Sequence, residues 1–185
     1  MDLDPLEQLV DWVRQRHFGK YRGTVTDNAD PSKRARLKVR VPAVLGDLEL
    51  WAMPCVPYAG DSVGLYLLPE SATGVWVEFE AGDPSYPIWT GCFWADDELP
   101  ADATGATKKV LRTEKSTVIL DDDTPEVSIA VDDAGQLAIG DDVTTTRDQA
   151  THTVSTSGVK SEISGKSVAI TTSSVSVNDG ALEVS

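Results

Sequence analysis

The sequence predicts a mainly β protein built from an N-terminal helix, a small closed antiparallel barrel, and a β-rich tail that intertwines with two other copies as a trimeric β-prism. Three observations predict this. All aromatic residues stop at Trp94. Between Tyr21 and Trp94, short strand-like runs are cut by turn residues with no helical crossover. From about Val110 to Ser185 the chain consists of apolar-x-apolar dyads separated by Ser, Thr, Asp and Gly. A tail without Phe, Tyr or Trp has too little apolar surface to offset its chain entropy as a monomer. Its β-branched dyads alternate with the period of a strand, which argues against disorder.

Residues 1–19 hold the predicted helix, over 2–18. Leu6, Leu9, Val10, Val13 and Phe18 fall close to helical spacing, Asp4 suits an N-cap, Pro5 the first turn and Gly19 the stop. Its apolar stripe docks either on its own domain or on a partner. Residues 20–95 form the barrel. Tyr21–Asp27 leads into a turn at 28–31, followed by a strand over 34–41 with Arg34, Arg36, Lys38 and Arg40 facing one way and Leu37, Val39 and Val41 the other. Further strands are expected at Glu49–Cys55, Ser62–Leu68, Gly74–Glu80 and Pro87–Phe93, with a tight turn at Gly82-Asp83-Pro84. Five or six strands in so short a span indicate a small closed barrel. Along 75–79, Val75, Val77 and Phe79 are expected to fill it, with Trp76 packing outside against a neighbour or the linker. Gly23 and Gly91 lie where strands bend or backbones approach closely.

Residues 96–109, rich in Asp, Ala, Thr and Gly, are a linker. In 110–185 the dyads recur every seven to ten residues, too short for helical repeat units. They require strands joined by tight turns. A ladder from one chain leaves exposed edges and a thin core, and three chains around one axis remove both problems. The expected trimer core is Val127, Ile129, Leu137, Ile139, Val168, Ile170, Val175, Val177, Leu182 and Val184.

The net charge of −14 disfavours nucleic acid or an anionic membrane surface as the resting partner. Cys55 and Cys92 fit no metal or redox motif and read as small buried hydrophobes. The acidic N-terminus lacks the apolar stretch of a signal peptide, so synthesis in the cytoplasm is expected.

The words Gly23-Thr24-Val25-Thr26-Asp27-Asn28-Ala29-Asp30-Pro31, Lys38-Val39-Arg40-Val41-Pro42, Trp51-Ala52-Met53-Pro54, Ala59-Gly60, Leu68-Pro69-Glu70, Gly74 to Pro84, and Pro87-Ile88-Trp89-Thr90-Gly91 occur in that order over about 70 residues. The segment resembles the oligonucleotide/oligosaccharide-binding (OB-fold) barrel at the hub of contractile injection machines. These include phage baseplate assembly proteins of the V type, valine-glycine repeat proteins of type VI secretion and spikes of extracellular injection particles. The resemblance marks Gly23, Asp30, Pro31, Pro42, Pro69, Trp76, Phe79, Gly82, Asp83, Pro84, Trp89 and Gly91 as motif residues of the barrel. It implies that the tail is a trimeric β-helix spike.

Some relatives carry a muramidase domain between barrel and spike, and a linker of about 15 residues holds none. Glu78/Glu80 and Asp96/Asp97/Glu98 read as solvated carboxylates, and only His17 and His152 are available as imidazole bases. No enzyme activity, cofactor or metal is therefore assigned. Asp121-Asp122-Asp123 and Asp141-Asp142 lack the ligand spacing of a calcium loop. His152 shares parity with Val154, so three copies converge on the axis if Val154 faces it. Thr151-His152-Thr153 is not the His-x-His word through which some related spikes hold iron. The basic strand carries no aromatic, so it is read as pairing with acidic surfaces of a neighbour or the tube rather than as a stacking platform.

The resulting expectation is a homotrimeric central spike of a contractile particle, phage tail or phage-tail-like. It joins the baseplate hub and inner tube proteins to a small conical (PAAR-like) tip protein. It meets a target membrane only on firing, and it does not use nucleic acid. The rival reading is a trimeric OB-fold module that binds a glycan or nucleic acid on a β-stalk.

Overall fold

A computed structural model describes residues 4–184. The chain divides into two compact units, with the boundary between Glu98 and Leu99.

In the first unit, helix α1 spans Pro5–Arg14, four residues short of the expected end; Asp2 and Leu3 lie outside the described residues. The Asp4 carboxylate accepts the Leu6 N–H at 3.2 Å and Pro5 occupies the first turn. None of the helix is buried: Leu6, Leu9, Val10, Trp12 and Val13 all remain exposed. The segment after it is anchored instead. Arg16 pairs with Asp83 at 2.9 Å and the His17 N–H donates to the Gly82 carbonyl at 2.8 Å. Gly82 is buried with φ +76°, and a Cβ there would press on Arg16 and Phe18 at 3.0 Å.

The barrel strands are β1 (Tyr21–Asp27), β2 (Leu37–Arg40) and β3 (Glu49–Pro54), followed after a two-residue hairpin pair, β4 (Ala59–Gly60) and β5 (Val63–Gly64), by β6 (Gly74–Phe79) and β7 (Pro87–Cys92). A short helix α2 (Pro42–Leu45) opens on Pro42. The sheet closes in the order β1-β2-β3-β7-β6. Every pair is antiparallel except β3 with β7, which run parallel. The expected strand over 62–68 is reduced to Val63–Gly64; Leu65, Tyr66 and Leu67 stay exposed and only Leu68 returns to the core.

Alternation accounts for the core. Val25, Leu37, Val39, Val41, Ala52, Val75, Val77, Phe79 and Trp89 are buried, and the six largest fully buried side chains include Leu37, Val25 and Val77. Each such aliphatic side chain stabilises the unit by about 1.5–3 kcal/mol. Val75, Val77 and Phe79 do fill the barrel. Trp76 lies outside it, but against its own unit: its ring packs 5.1 Å from Phe93, with Arg22 over both. Cys55 and Cys92 are both free and exposed, contrary to the buried reading. Cys55 falls one residue past the end of β3, and Cys92 follows the irregularity in β6–β7 pairing where Gly91 takes φ +144°.

The second unit is a ten-stranded antiparallel meander. Its strands are β8 (Lys108–Arg112), β9 (Ser116–Asp121), β10 (Glu126–Val131), β11 (Gly135–Ile139), β12 (Val143–Arg147), β13 (Ala150–Ser155), β14 (Gly158–Ile163), β15 (Lys166–Thr171), β16 (Val175–Val177) and β17 (Leu182–Val184). Each strand pairs only with its sequence neighbours. Tight turns make this possible. Ile163 pairs with Lys166 across Ser164 and Gly165, both at positive φ, which is the backbone of a hairpin turn whose twist matches its strands.

Candidate functional site

In an antiparallel ladder, directly paired residues share a face. The registers therefore sort the second unit's side chains. Leu120 pairs with Val127, which pairs with Ile139, then Val143, Val154, Val159, Ile170, Val175 and Val184. A parallel row runs through Leu111, Val118, Ile129, Leu137, Thr145, His152, Ser161, Val168, Val177 and Leu182. All ten residues expected in the shared core thus lie on one face. The opposite face carries Thr117, Ser128, Thr144, Thr151, Lys160, Glu162 and Ser167 along the same strands.

Burial in the single chain is inverted relative to polarity. On the polar face Thr117 and Ser167 are buried, while Ile129, Ile139, Val168, Ile170 and Leu182 are 46–63% exposed. Ten strands at roughly 4.8 Å spacing and about 17 Å length give a face of roughly 800 Å². That is about what each partner contributes to a standard protein interface, and larger than a patch a soluble monomer ordinarily leaves bare.

The barrel's motif residues are structural. Asp30 is the centre of the turn before β2: its carboxylate accepts the N–H groups of Ser32, Arg34 and Arg36 and the Arg36 guanidinium at 2.8 Å. The Arg36 guanidinium beside Asp30 holds its carboxyl far below the usual carboxylate range, assisted by those backbone donors. Pro31 follows in the same turn, and the Pro69 carbonyl accepts from Asn28 at 3.0 Å. Trp89 is buried and its Nε1–H donates to the Ala35 carbonyl at 3.2 Å. At Gly23 a Cβ would lie 3.1 Å from Val77 and 3.2 Å from the Arg40 carbonyl, so this site admits only glycine without displacement. The Asp83 carboxylate accepts the Ser85 N–H and then the Arg16 guanidinium, which together hold its carboxyl below the ordinary value, with Pro84 inside the turn they close.

The basic strand is less free than its sequence implies. Arg36 is tied to Asp30 and stacks 5.3 Å from the Trp51 ring, and Lys38 pairs with Glu49 at 3.5 Å. No signal in the strand itself marks Trp51, which reaches it only because Lys38 and Trp51 are register partners. Three of the carboxylates considered above form ion pairs: Glu78 with Lys20, Asp121 with Lys108 and Asp122 with Lys109. An apolar hollow of about 350 Å³ lies beside the β4–β5 hairpin, lined by Pro54, Val56, Tyr58, Leu68 and Trp89 with Arg34 at its side. No helix among the described residues is long and apolar enough to cross a membrane.

The chain thus joins a small closed barrel in sequence to a sheet with one exposed apolar face. Residues 21–94 match the model of the type VI secretion system/phage-baseplate injector OB domain. The match coincides with β1 to β7, and it supports a baseplate-associated structural role rather than an enzymatic one. No curated protein matches the chain.

Proposed function

We propose that this protein is the homotrimeric central spike of a contractile injection system. Three barrels join the hub and inner tube, and three tails wrap into a β-prism whose interior is the apolar face of each sheet. The prism points outward, ends in a small conical tip protein, and breaches the target envelope on firing. The single observation that carries this reading is the bare apolar face, which further β-sheet of the same alternation would cover along its length. Its mechanism is mechanical: strand edges paired between chains keep a narrow rod from fraying, and the mostly aliphatic side chains of the two central rows let the three sheets approach closely. The −14 charge of each chain opposes spontaneous approach to an anionic envelope, so force from the machine and not affinity drives entry.

Electron microscopy of purified particles carrying a labelled copy of this chain tests the role. Label at the distal end of the tube supports it; label absent from particles, or spread along the sheath, refutes it. The rival binding-module reading predicts instead that the isolated protein retains single-stranded DNA or a glycan at physiological salt.

A further inference from the structure

Within the two central rows of the apolar face there is one polar stretch. Thr145 on β12, His152 on β13 and Ser161 on β14 are register partners, so they lie side by side in one row, bounded by Leu137 on β11 and Val168 on β15. Polar groups inside an apolar interface are costly unless each finds a partner. Among the described residues of one chain, His152 has a hydrogen-bond partner at one nitrogen only: Nδ1 lies 2.8 Å from the Ser161 hydroxyl oxygen. In the tautomer in which Nδ1–H donates to the Ser161 hydroxyl, the Nε2 lone pair is left for another partner. This is the arrangement in which a hydrogen bond to one ring nitrogen orients the other as a metal ligand.

We propose that three copies of His152 form a site for a divalent transition-metal ion of the zinc class, inside the prism and not at its end; this rests on the trimeric reading above. Among the described residues no three His, Cys, Asp or Glu side chains of one chain gather around a common point, so a single copy supplies one ligand only. On a threefold axis, symmetry supplies three equivalent imidazole nitrogens, a donor set that binds zinc-class ions and leaves one position open. The charged groups sharing the face on the strands next to His152 are Arg147 at the end of β12 and, one strand further, Lys166 on β15. Both are cationic, and β12 to β15 place no carboxylate on this face. The open position therefore suits an anion such as hydroxide or chloride. The site would staple the three tails midway along the sheet and fix their mutual register, which a run of near-identical Val/Ile dyads specifies only weakly.

The test uses the untagged full-length chain, stripped with chelator, with its oligomeric state measured by sedimentation before Zn²⁺ or Co²⁺ is added. The expected result is one ion per three chains, a visible absorption band of nitrogen-bound Co²⁺, and a rise in thermal midpoint with Zn²⁺. His152→Gln, which keeps a polar side chain, should stay trimeric and lose the ion, and Ser161→Ala should weaken binding about 10- to 100-fold. A trimer that takes up no ion at 100-fold molar excess, or a His152→Gln trimer that binds as well as the parent, overturns the site while leaving the trimer standing. A monomer overturns both.

Discussion

Replacing Ile129 by Lys separates a shared core from an isolated sheet. Ile129 sits in the second row of the apolar face, paired with Val118 on one side and Leu137 on the other, and is 46% exposed in the single chain. Fully burying an isoleucine is worth about 1.5–3 kcal/mol, so the part still exposed leaves about 1 kcal/mol per chain for assembly to gain, and about 3 kcal/mol over three chains. Lysine forfeits this and adds three ammonium groups inside one interface, each costing several kcal/mol without a counter-ion. The sum exceeds what a trimer at micromolar concentration tolerates, whereas a half-exposed substitution on an isolated sheet changes stability by about 0.5 kcal/mol or less. The control is Thr151→Lys, on the polar face and paired with Glu162. Sedimentation velocity on both variants is the assay. Ile129→Lys should run as monomer or aggregate and Thr151→Lys like the parent. An Ile129→Lys protein with unchanged sedimentation and melting would refute the assignment of this face to an interface.

Val77→Ala removes two methyl groups from a fully buried position in the barrel and should cost about 2–3 kcal/mol in denaturant unfolding followed by tryptophan fluorescence. Gly158→Ala sets a Cβ against the Ile170 carbonyl at φ +153° and should lower the melting temperature of the sheet seen by far-ultraviolet circular dichroism. Tryptophan fluorescence reports only the first unit, which holds all five Trp residues, and should change less. Asp30 has its folded pKa depressed by Arg36. Its contribution is therefore full above the unfolded value of about 3.9 and is lost only as pH falls through the lower folded value. Arg36→Met raises that folded value toward the ordinary one, so the variant barrel should be less stable at pH 7 and unfold at higher pH in a titration from pH 7 to 2. An unchanged acid midpoint would dispose of the Asp30–Arg36 argument.

What the sequence conveyed well was periodicity. The alternation at Leu37/Val39/Val41 and Val75/Val77/Phe79 assigned the barrel's interior, and the dyads of the tail assigned one face of the sheet, because a period of two leaves no other choice of side. What it concealed depends on approach through space. Arg22 between Trp76 and Phe93, Trp51 under Arg36, and the Arg16–Asp83 tie that anchors the chain after α1 join residues whose proximity no local pattern encodes. The two cysteines were misjudged for the same reason, since residue-type preference says nothing of a strand end or of a break in register. The strand expected at 62–68 failed because its apolar run lacks alternation: Leu65, Tyr66, Leu67 and Leu68 are consecutive, so no pleat can bury them all on one side. The polar row Thr145, His152 and Ser161 required the registers of three strands, and only the parity of His152 with Val154 hinted at it.

The most direct test of the central claim is the mass of the full-length chain in solution, by sedimentation equilibrium or native mass spectrometry at micromolar concentration. The shared-core account predicts a single species at three times the 19.9 kDa chain mass, persisting on dilution. A well-folded monomer of 19.9 kDa with the ten-stranded sheet intact contradicts it.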